Sequence, residues 1–239
     1  MIKIDNMDFW GFEHAVRGMR NPMSGWNKSD SFWCRGDDVT DERCEVCIYY
    51  KSFRGKDKVC WKDWLDGTGY ILGKEDLELM RKLIKAGSSH RKFLRQLFVS
   101  MDITAPLYWW KEFDTYKVGT AANSCSTVHS IRKKEFTIED FSVEHLNSDV
   151  LENPFKSIID CLNFFREQCL NSKDKDDWWQ IIQLLPSSYN QRRTVTISYE
   201  NIFNIIEQRK NHKLDEWHMF ITALKNLPYV DKLFICKEE

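Results

Sequence analysis

The sequence predicts an α+β fold with many helices and a few strands that lie far apart along the chain. Apolar residues recur at helical spacing in residues 73–87, 153–169 and 213–226. β-Branched and aromatic residues concentrate in two short stretches, 97–103 and 194–199, as is typical of strands. Hydrophobic residues make up 42% of the 239 residues, which is enough for a sizeable core.

The composition argues against several classes of protein. The formal net charge is −1, so bulk electrostatics give no reason to expect binding to nucleic acid or to an acidic membrane. The first residues lack the basic and apolar regions of a secretory signal, and no apolar run approaches the roughly 18 residues of a membrane span. We therefore expect a cytoplasmic protein whose 8 cysteines are reduced.

Residues 1–30 show no regular pattern and are predicted to be irregular. Within them, Arg17 and Arg20 belong to a turn-forming stretch that ends in Asn21-Pro22. Guanidinium groups bind phosphate well because their planar fork donates hydrogen bonds in pairs. An ordinary exposed loop explains the stretch equally simply, and we favour that interpretation.

Residues 31–66 form a Cys-rich insertion with few aliphatic residues. Cys44 and Cys47 form a C-x-x-C motif, which lets two thiolates bind one tetrahedral ion, and Cys34 and Cys60 could complete a four-sulfur zinc site. The spacing differs from that of a standard zinc ribbon. The alternative is four reduced cysteines in a small satellite core with nearby tryptophans, and in both cases we predict a structural role.

The middle of the chain is predicted to be helix, strand and helix in turn. Residues 73–87 form a helix with Gly87 at the C′ position, residues 90–96 are basic and helical, residues 97–103 form a strand and residues 105–116 form a helix. Residues 119–127 are small and polar. They either let the backbone approach a ligand closely or simply connect two elements.

The C-terminal half is predicted to be mainly helical. Thr137 and Asp140 suggest a capped short helix, Pro154 stands at the first position of a long one, and Pro186 stops another that begins near Asp177. The buried face of the long helix is predicted to comprise Ile158, Ile159, Leu162, Phe165 and Cys169. A strand at 194–199 leads into a helix at 201–209, and the last helix should bury Trp217, Phe220, Ile221 and Leu224.

The helix at 201–209 carries Asn204 and ends at Arg209. The two residues lie roughly 140° apart around the helix axis, so both can border a cavity wider than one helix face. A solvated arginine at a helix C-terminus, where the helix dipole favours a cation, is the alternative.

Residues 185–217 resemble the C-terminal signature of flavin-dependent thymidylate synthases, in which a Leu-Pro turn leads through a strand to a helix with Asn and then Arg. The residues that carry this resemblance are Leu185, Pro186, Thr196, Asn204 and Arg209. Upstream, His90 matches the first His of the family, and Asn123 and Ser126 match a family Asn and Ser. The resemblance extends over about residues 75–228 and excludes the Cys-rich segment.

This resemblance implies a thymidylate synthase-complementing-like fold, with helices packed on a small, mainly antiparallel sheet. It implies one domain of residues 1–239, interrupted by the insertion at 31–66. It also implies a homo-oligomer, a tetramer by analogy with family members, because several subunits build each active site there.

The resemblance further implies a site and its ligands. Arg209 is expected to bind and polarise the uracil ring of dUMP. If its effect on the reaction barrier equals that of one hydrogen-bond donor in an oxyanion hole, it contributes about 3 kcal/mol. The implied nucleotide-binding residues are Lys117, Asn123, Ser126 and Arg209, and the implied flavin-binding residues are His90, Gln96, Asn123, Ser198 and Asn204. FAD is the implied cofactor, with NADPH and methylene-tetrahydrofolate as cosubstrates.

The chain departs from the family pattern at several of these positions. The family's Arg-His-Arg triplet falls on residues 115–117 or 116–118, where only Lys117 is a cation. Arg95 and Gln96 stand where the family has Glu and His, while Ser198 and Glu200 stand where it has Asn and Arg. Flavin or folate must then be bound by other groups, for which Arg91, Lys92 and Arg95 are candidates unless they form a solvated basic face.

Three functions follow from these observations. The first is flavin-dependent transfer of a methyl or other one-carbon group to C5 of a deoxyuridine nucleotide. The second is a catalytically degenerate homologue that binds a nucleotide or a partner protein. The third, which the near-zero net charge disfavours, is a zinc-dependent nucleic-acid binder built on the four cysteines of the insertion.

Overall fold

The computed structural model describes residues 1–34, 69–172 and 174–234. In these ranges the strands are β1 (Lys3–Trp10), β2 (Phe32–Cys34), β3 (Gly69–Ile71), β4 (Phe98–Pro106), β5 (Thr120–Ser124) and β6 (Asn190–Ser198). The helices are α1 (Phe12–Arg20), α2 (Lys74–Lys85), α3 (Leu107–Phe113), α4 (Thr127–Ser130), α5 (Ser148–Val150), α6 (Lys156–Ser172), α7 (Lys175–Leu184), α8 (Tyr199–Arg209), α9 (Asp215–Lys225) and α10 (Val230–Phe234). None of these helices combines the length and the apolar character that a membrane crossing requires. The predicted α+β class is confirmed.

The chain divides into two compact units. The first comprises Met1–Phe9 and Val99–Asn226, and the second comprises Trp10–Phe98 and Leu227–Glu239. The prediction of a single domain over residues 1–239 stays a prediction.

A four-stranded sheet in the order β1-β4-β6-β5 forms the centre of the first unit. β5 runs antiparallel to β6, with Asn123 opposite Thr194 and Thr120 opposite Ile197. In β4, buried Val99, Met101, Ile103 and Ala105 alternate with half-buried polar residues. This period of two gives the sheet one apolar face and one polar face.

Aromatic residues of α3 and α9 form a buried core in the same unit. Trp109 lies 5.0 Å from Trp217 and 5.3 Å from Phe220 between ring centroids, and all three side chains are fully buried. The predicted buried residues of the last long helix, Trp217, Phe220, Ile221 and Leu224, are confirmed. Large aromatic rings contribute strongly to packing, so this cluster fixes α3 and α9 against each other.

A second cluster surrounds α6 and α7 in the same unit. Leu162 and Cys169 of α6 pack with Phe155, Phe141 and Ile181, as the helical spacing predicted for the first two. Ile158 was also predicted to be buried but is 38% exposed, because it borders an open cavity of about 350 Å³.

The predicted role of Pro154 is wrong. Helical structure begins earlier, where the Asn147 side chain accepts a hydrogen bond from the Val150 N–H, and Pro154 lies inside a π turn at Leu151–Phe155. A wider turn accommodates a residue that has no N–H to donate and whose ring crowds the preceding turn. The capping box of Thr137 and Asp140 is confirmed at the short 3-10 helix Ile138–Asp140.

The prediction that residues 1–30 are irregular is wrong. β1 and α1 occupy most of this segment, and Gly11 separates them with φ of +100°. A Cβ atom on Gly11 would lie 2.0 Å from the carbonyl oxygen of Gln96, so only glycine fits here. Phe12, Ala15, Val16 and Met19 are the buried face of α1. They stand at helical spacing, so a helix signal was present.

Arg20 is buried in the second unit instead of lying in an exposed loop. Its Nε donates to Asp76 Oδ1 at 2.6 Å, and Asp76 Oδ2 accepts from Ser29 and Ser31 hydroxyls at 2.6 Å each. Burial alone would raise the pKa of Asp76, but the hydrogen bonds from Ser29, Ser31 and Arg20 outweigh it and hold that pKa below its usual value.

The proposed zinc ligands fall almost wholly outside the described residues. Cys44, Cys47 and Cys60 lie outside them, and Cys34 is described only as the last residue of β2, which pairs antiparallel with β3. Within the described ranges no group of three potential ligand side chains is placed to bind a metal. The Cys-rich insertion and its metal therefore stay predictions.

Candidate functional site

Arg209, the last residue of α8, is held among aromatic and acidic side chains of the first unit. Its Nε donates to Tyr116 Oη at 3.0 Å, and its Nη1 donates to Glu112 Oε2 at 3.0 Å. Its Cζ lies 5.0 Å from the centre of the Trp217 ring. The side chain is only 21% exposed, so the alternative of a solvated surface arginine is wrong.

Glu112 is the centre of this cluster. Its Oε2 accepts hydrogen bonds from Arg209 and from Trp217 Nε1, the latter at 3.3 Å. The same oxygen lies 2.9 Å from His212 Nε2. His212 Nδ1 accepts a hydrogen bond from the Leu214 N–H at 3.2 Å. The neutral ring therefore carries its proton on Nε2, and this N–H donates a hydrogen bond to Glu112. Three donors thus converge on a single carboxylate oxygen.

A cavity of about 670 Å³ lies beside this cluster. Its lining residues are Tyr108, Glu112, Asn211, His212, Lys213 and Leu214. The Tyr108 hydroxyl donates a hydrogen bond to the carboxylate of the buried Glu216. Burial and this carboxylate raise the pKa of Tyr108, so its phenol stays neutral over the physiological range. The cavity thus combines an aromatic ring, a carboxylate and a lysine.

The residues before β5 are fixed by the first turn of α8. Asn201 Nδ2 donates to Val118 O and to Thr120 Oγ1, each at 2.8 Å. The Asn201 N–H in turn donates to Ser198 Oγ at 3.3 Å, which makes Ser198 the N-cap of α8. Ser198 is 4% exposed, so the hydroxyl predicted to contact flavin is buried. Gly119, with φ of +73°, allows the chain to turn between Lys117 and β5.

Asn123 and Ser126 lie at the edge of the sheet. Asn123 is exposed on β5, which is paired on one side only among the described strands. It stands opposite Thr194, whose hydroxyl donates to Asp102. Hydrogen bonds from Thr194, Asn6 and Arg192 hold the pKa of Asp102 far below its usual value, so this carboxylate stays ionised and pairs with the Arg192 guanidinium at 2.7 Å. Ser126 accepts from the His129 N–H at 3.2 Å.

The predicted site residues fall into two groups. Lys117, Asn123, Ser126, Ser198, Asn204 and Arg209 belong to the first unit, and His90 and Gln96 belong to the second. In the described part of the chain, no hydrogen bond or ion pair joins Arg209 to Asn123 or Ser126.

The other predicted flavin contacts have these surroundings. Asn204 is half-buried on α8, and Lys117 is exposed. His90 is exposed, and its N–H donates to Gly87 O at 3.0 Å. The Gln96 amide lies against α1, since a Cβ atom on Gly18 would be 2.4 Å from Gln96 Oε1.

Sequence reasoning missed Glu112, Tyr116, His212 and Asn201 as members of the site. Glu112 and Arg209 are almost a hundred positions apart, and neither their types nor any motif links them. The only available signal was the placement of Glu112 within an aromatic-rich helix, which is where a polar residue at a site edge is found.

Comparison with solved structures identifies the fold. A crystal structure of the flavin-dependent thymidylate synthase ThyX from Helicobacter pylori, complexed with FAD and dUMP, matches with a TM-score of 0.61 over 98% of both chains. The chain has the fold of a flavin-dependent thymidylate synthase. A second structure of that protein with FAD and dUMP gives a TM-score of 0.60 at the same coverage, and the sequence identity to each is 16%. The similarity in fold therefore comes with little similarity in sequence.

At this identity the likeness shows the fold alone. No protein-family model matches the sequence, and no curated protein matches it. The predicted fold of helices on a small sheet is confirmed, whereas the chemistry of the ThyX-like chain has to be argued from its own residues.

Proposed function

We propose that this chain binds FAD and a pyrimidine nucleotide and transfers a one-carbon group to C5 of a deoxyuridine nucleotide. The observation that carries the proposal is the position of Arg209. Its guanidinium is held at a fixed place by Tyr116 and Glu112, next to a cavity in a fold that the H. pylori enzyme uses with FAD and dUMP. Preorganised donors of this kind stabilise charge that develops on a bound ring.

Arg209 retains a donor for the substrate. Its Nε and Nη1 are used within the cluster, and no described residue accepts a hydrogen bond from Nη2. We propose that Nη2 donates to a base carbonyl of dUMP and so stabilises the negative charge that accumulates there when C5 reacts. Because the other two nitrogens are anchored, little ordering of the side chain remains to be completed on binding.

The surroundings of β5 suit a large planar cofactor. Thr120, Ala121, Ala122, Asn123 and Ser124 are small, and their strand has backbone N–H and C=O groups on its open side. In this proposal Asn123 and Asn204 contact FAD, and Ser126 and Lys117 contact phosphate. Ser198 acts indirectly, since it fixes Asn201 and the turn before β5. FAD supplies the redox chemistry when bound, with NADPH and methylene-tetrahydrofolate as cosubstrates.

The loss of the family's triplet favours a second function. Lys117 is the only cation at the triplet positions, and the Arg209 charge is neutralised by Glu112 at 3.0 Å. A protein with this arrangement could bind a nucleotide without turning it over. The proposed homo-oligomer, a tetramer, and the proposed cytoplasmic location apply to both functions.

The experiment that separates these functions begins with the visible absorption spectrum of the purified full-length protein, followed by titration with FAD. Methyl transfer to dUMP is then measured with FAD, NADPH and methylene-tetrahydrofolate. Arg209→Ala should abolish it, while Lys210→Ala, which changes the adjacent exposed residue, should not. A protein that takes up no flavin contradicts the proposal. One that binds FAD and dUMP but releases no product supports the degenerate homologue instead.

A further inference from the structure

Of the charged pair at the centre of the cluster, Glu112 lines the cavity and Arg209 does not. The six lining residues include Glu112 and its neighbour His212 but not Arg209. The Glu112 side chain is 35% exposed, compared with 21% for Arg209. A ligand in the cavity therefore contacts the carboxylate, and the guanidinium lies 3.0 Å from that carboxylate.

The two oxygens of Glu112 have different surroundings. Oε2 accepts from Arg209 and Trp217 and lies within hydrogen-bond distance of His212 Nε2. In the described ranges no residue donates a hydrogen bond to Oε1. The three donors fix the carboxylate through one oxygen and leave the other as an acceptor at the cavity wall.

Lys213 provides the opposite charge in the same cavity. It lines the cavity, is exposed, and forms no ion pair with any carboxylate that the structure describes. Tyr108 and Leu214 add apolar surface to the lining. A fixed acceptor, an apolar surface and a cation together suit a planar heterocycle that carries an N–H group and an anionic tail.

We infer that Glu112 is a specificity-determining residue, whose Oε1 accepts the ring N3–H of a uracil nucleotide while Lys213 pairs with its phosphate. This inference rests on the proposed function and assigns the substrate contacts within it. An ionised carboxylate only accepts hydrogen bonds, so it rejects a base edge that offers no N–H donor there. A neighbouring donor from Arg209 Nη2 would match the carbonyl next to N3–H.

The test is isothermal titration of the FAD-treated full-length protein with three ligands: dUMP, its N3-methyl derivative, which lacks the donor, and deoxyuridine, which lacks the phosphate. The wild type should bind dUMP about tenfold or more tightly than either analogue, in line with the loss of one charge-assisted hydrogen bond or ion pair. Glu112→Gln should reduce the preference for dUMP over N3-methyl-dUMP. Lys213→Ala should reduce the preference for dUMP over deoxyuridine, whereas Lys225→Ala, an exposed lysine at the end of α9, should leave both unchanged.

Several outcomes overturn the inference. Equal wild-type affinity for dUMP and N3-methyl-dUMP excludes the contact at N3, and so does an unchanged preference in Glu112→Gln. If thermal unfolding shows that Glu112→Gln does not fold, two measurements still test the inference. They are the wild-type ratio of affinities for dUMP and N3-methyl-dUMP, and the ligand preference of the exposed Lys213→Ala variant. A wild-type protein that binds neither FAD nor dUMP refutes the proposed function itself, and this inference with it. Binding of both without these preferences refutes the inference alone.

Discussion

The variant Asp76→Asn tests whether the buried network of the second unit stabilises the fold. Asp76 has no exposed surface and Arg20 has 7%, and their ion pair is 2.6 Å long. Asparagine keeps a similar shape and can still accept one hydrogen bond, but it leaves the Arg20 guanidinium buried without a counter-charge. Breaking a buried pair on one side costs about 3–5 kcal/mol.

We expect the lower end of that range, because Arg20 Nη1 keeps its hydrogen bond to Gly25 O. For a chain of this size a loss of about 3 kcal/mol corresponds to roughly 6–12 °C in Tm. Urea unfolding at pH 7 measures the free energy, and differential scanning calorimetry measures Tm. The matched control is Glu75→Gln, an exposed acid one residue away in the first turn of α2, with an expected loss of about 1 kcal/mol or less.

The same variant has a pH signature. The pKa of Asp76 is lowered in the folded protein, so its contribution to stability is present above the unfolded value of about 3.9. It is lost as pH falls through the lower folded pKa. The difference in unfolding free energy between wild type and Asp76→Asn should therefore be constant from neutral pH to about pH 5 and shrink below about pH 4. A difference under about 1 kcal/mol at pH 7, well below the cost of a broken buried pair, would refute the argument.

Three further predictions concern other parts of the chain. Asn201→Ala should lower the free energy of unfolding by about 1–3 kcal/mol, because it removes two hydrogen bonds to residues 118–120. It should also speed limited proteolysis at these residues, and an unchanged cleavage rate would contradict the role of Asn201. Burial and the nearby Asp76 carboxylate raise the pKa of Tyr70 to about 12, so its stabilising effect should be complete below about pH 10 and lost as pH rises through 12. Ultraviolet titration of wild type against Tyr70→Phe measures this, and an ordinary titration near pH 10 would exclude it. Elemental analysis should find zinc in the wild type and little or none in the Cys44→Ser and Cys47→Ser variants. A wild type without zinc would exclude the metal hypothesis.

Helices with strong local patterns were predictable from the sequence. The helix at 73–87 corresponds to α2, with Gly87 at φ of +104° just after its end, and the last long helix buries the four predicted residues. The capping box at Thr137 was equally visible. These features depend on residues at most a few positions apart, so their physics is contained in short stretches of sequence.

The candidate site was only partly predictable. Arg209 was found because a signature of Leu185, Pro186, Thr196, Asn204 and Arg209 lies within one segment. Its surroundings were not, since Glu112 lies in α3 and Tyr116 in the turn after α3, almost a hundred residues earlier. Strand β5 was also missed, because its residues have low strand propensity and pair only through the ladder to β6.

By itself, the sequence determined the helices with strong local patterns, such as α2 and α9, and the buried aromatic residues of α9. It also identified the arginine at the end of α8 as a candidate site residue. The tertiary structure alone decided what that arginine does. It placed a carboxylate from α3 against the guanidinium and put that carboxylate, not the cation, at the wall of the cavity. The physical reason is that helix formation depends on neighbours one turn away, whereas the balance of charge in a site depends on distances in space that no spacing in the chain encodes.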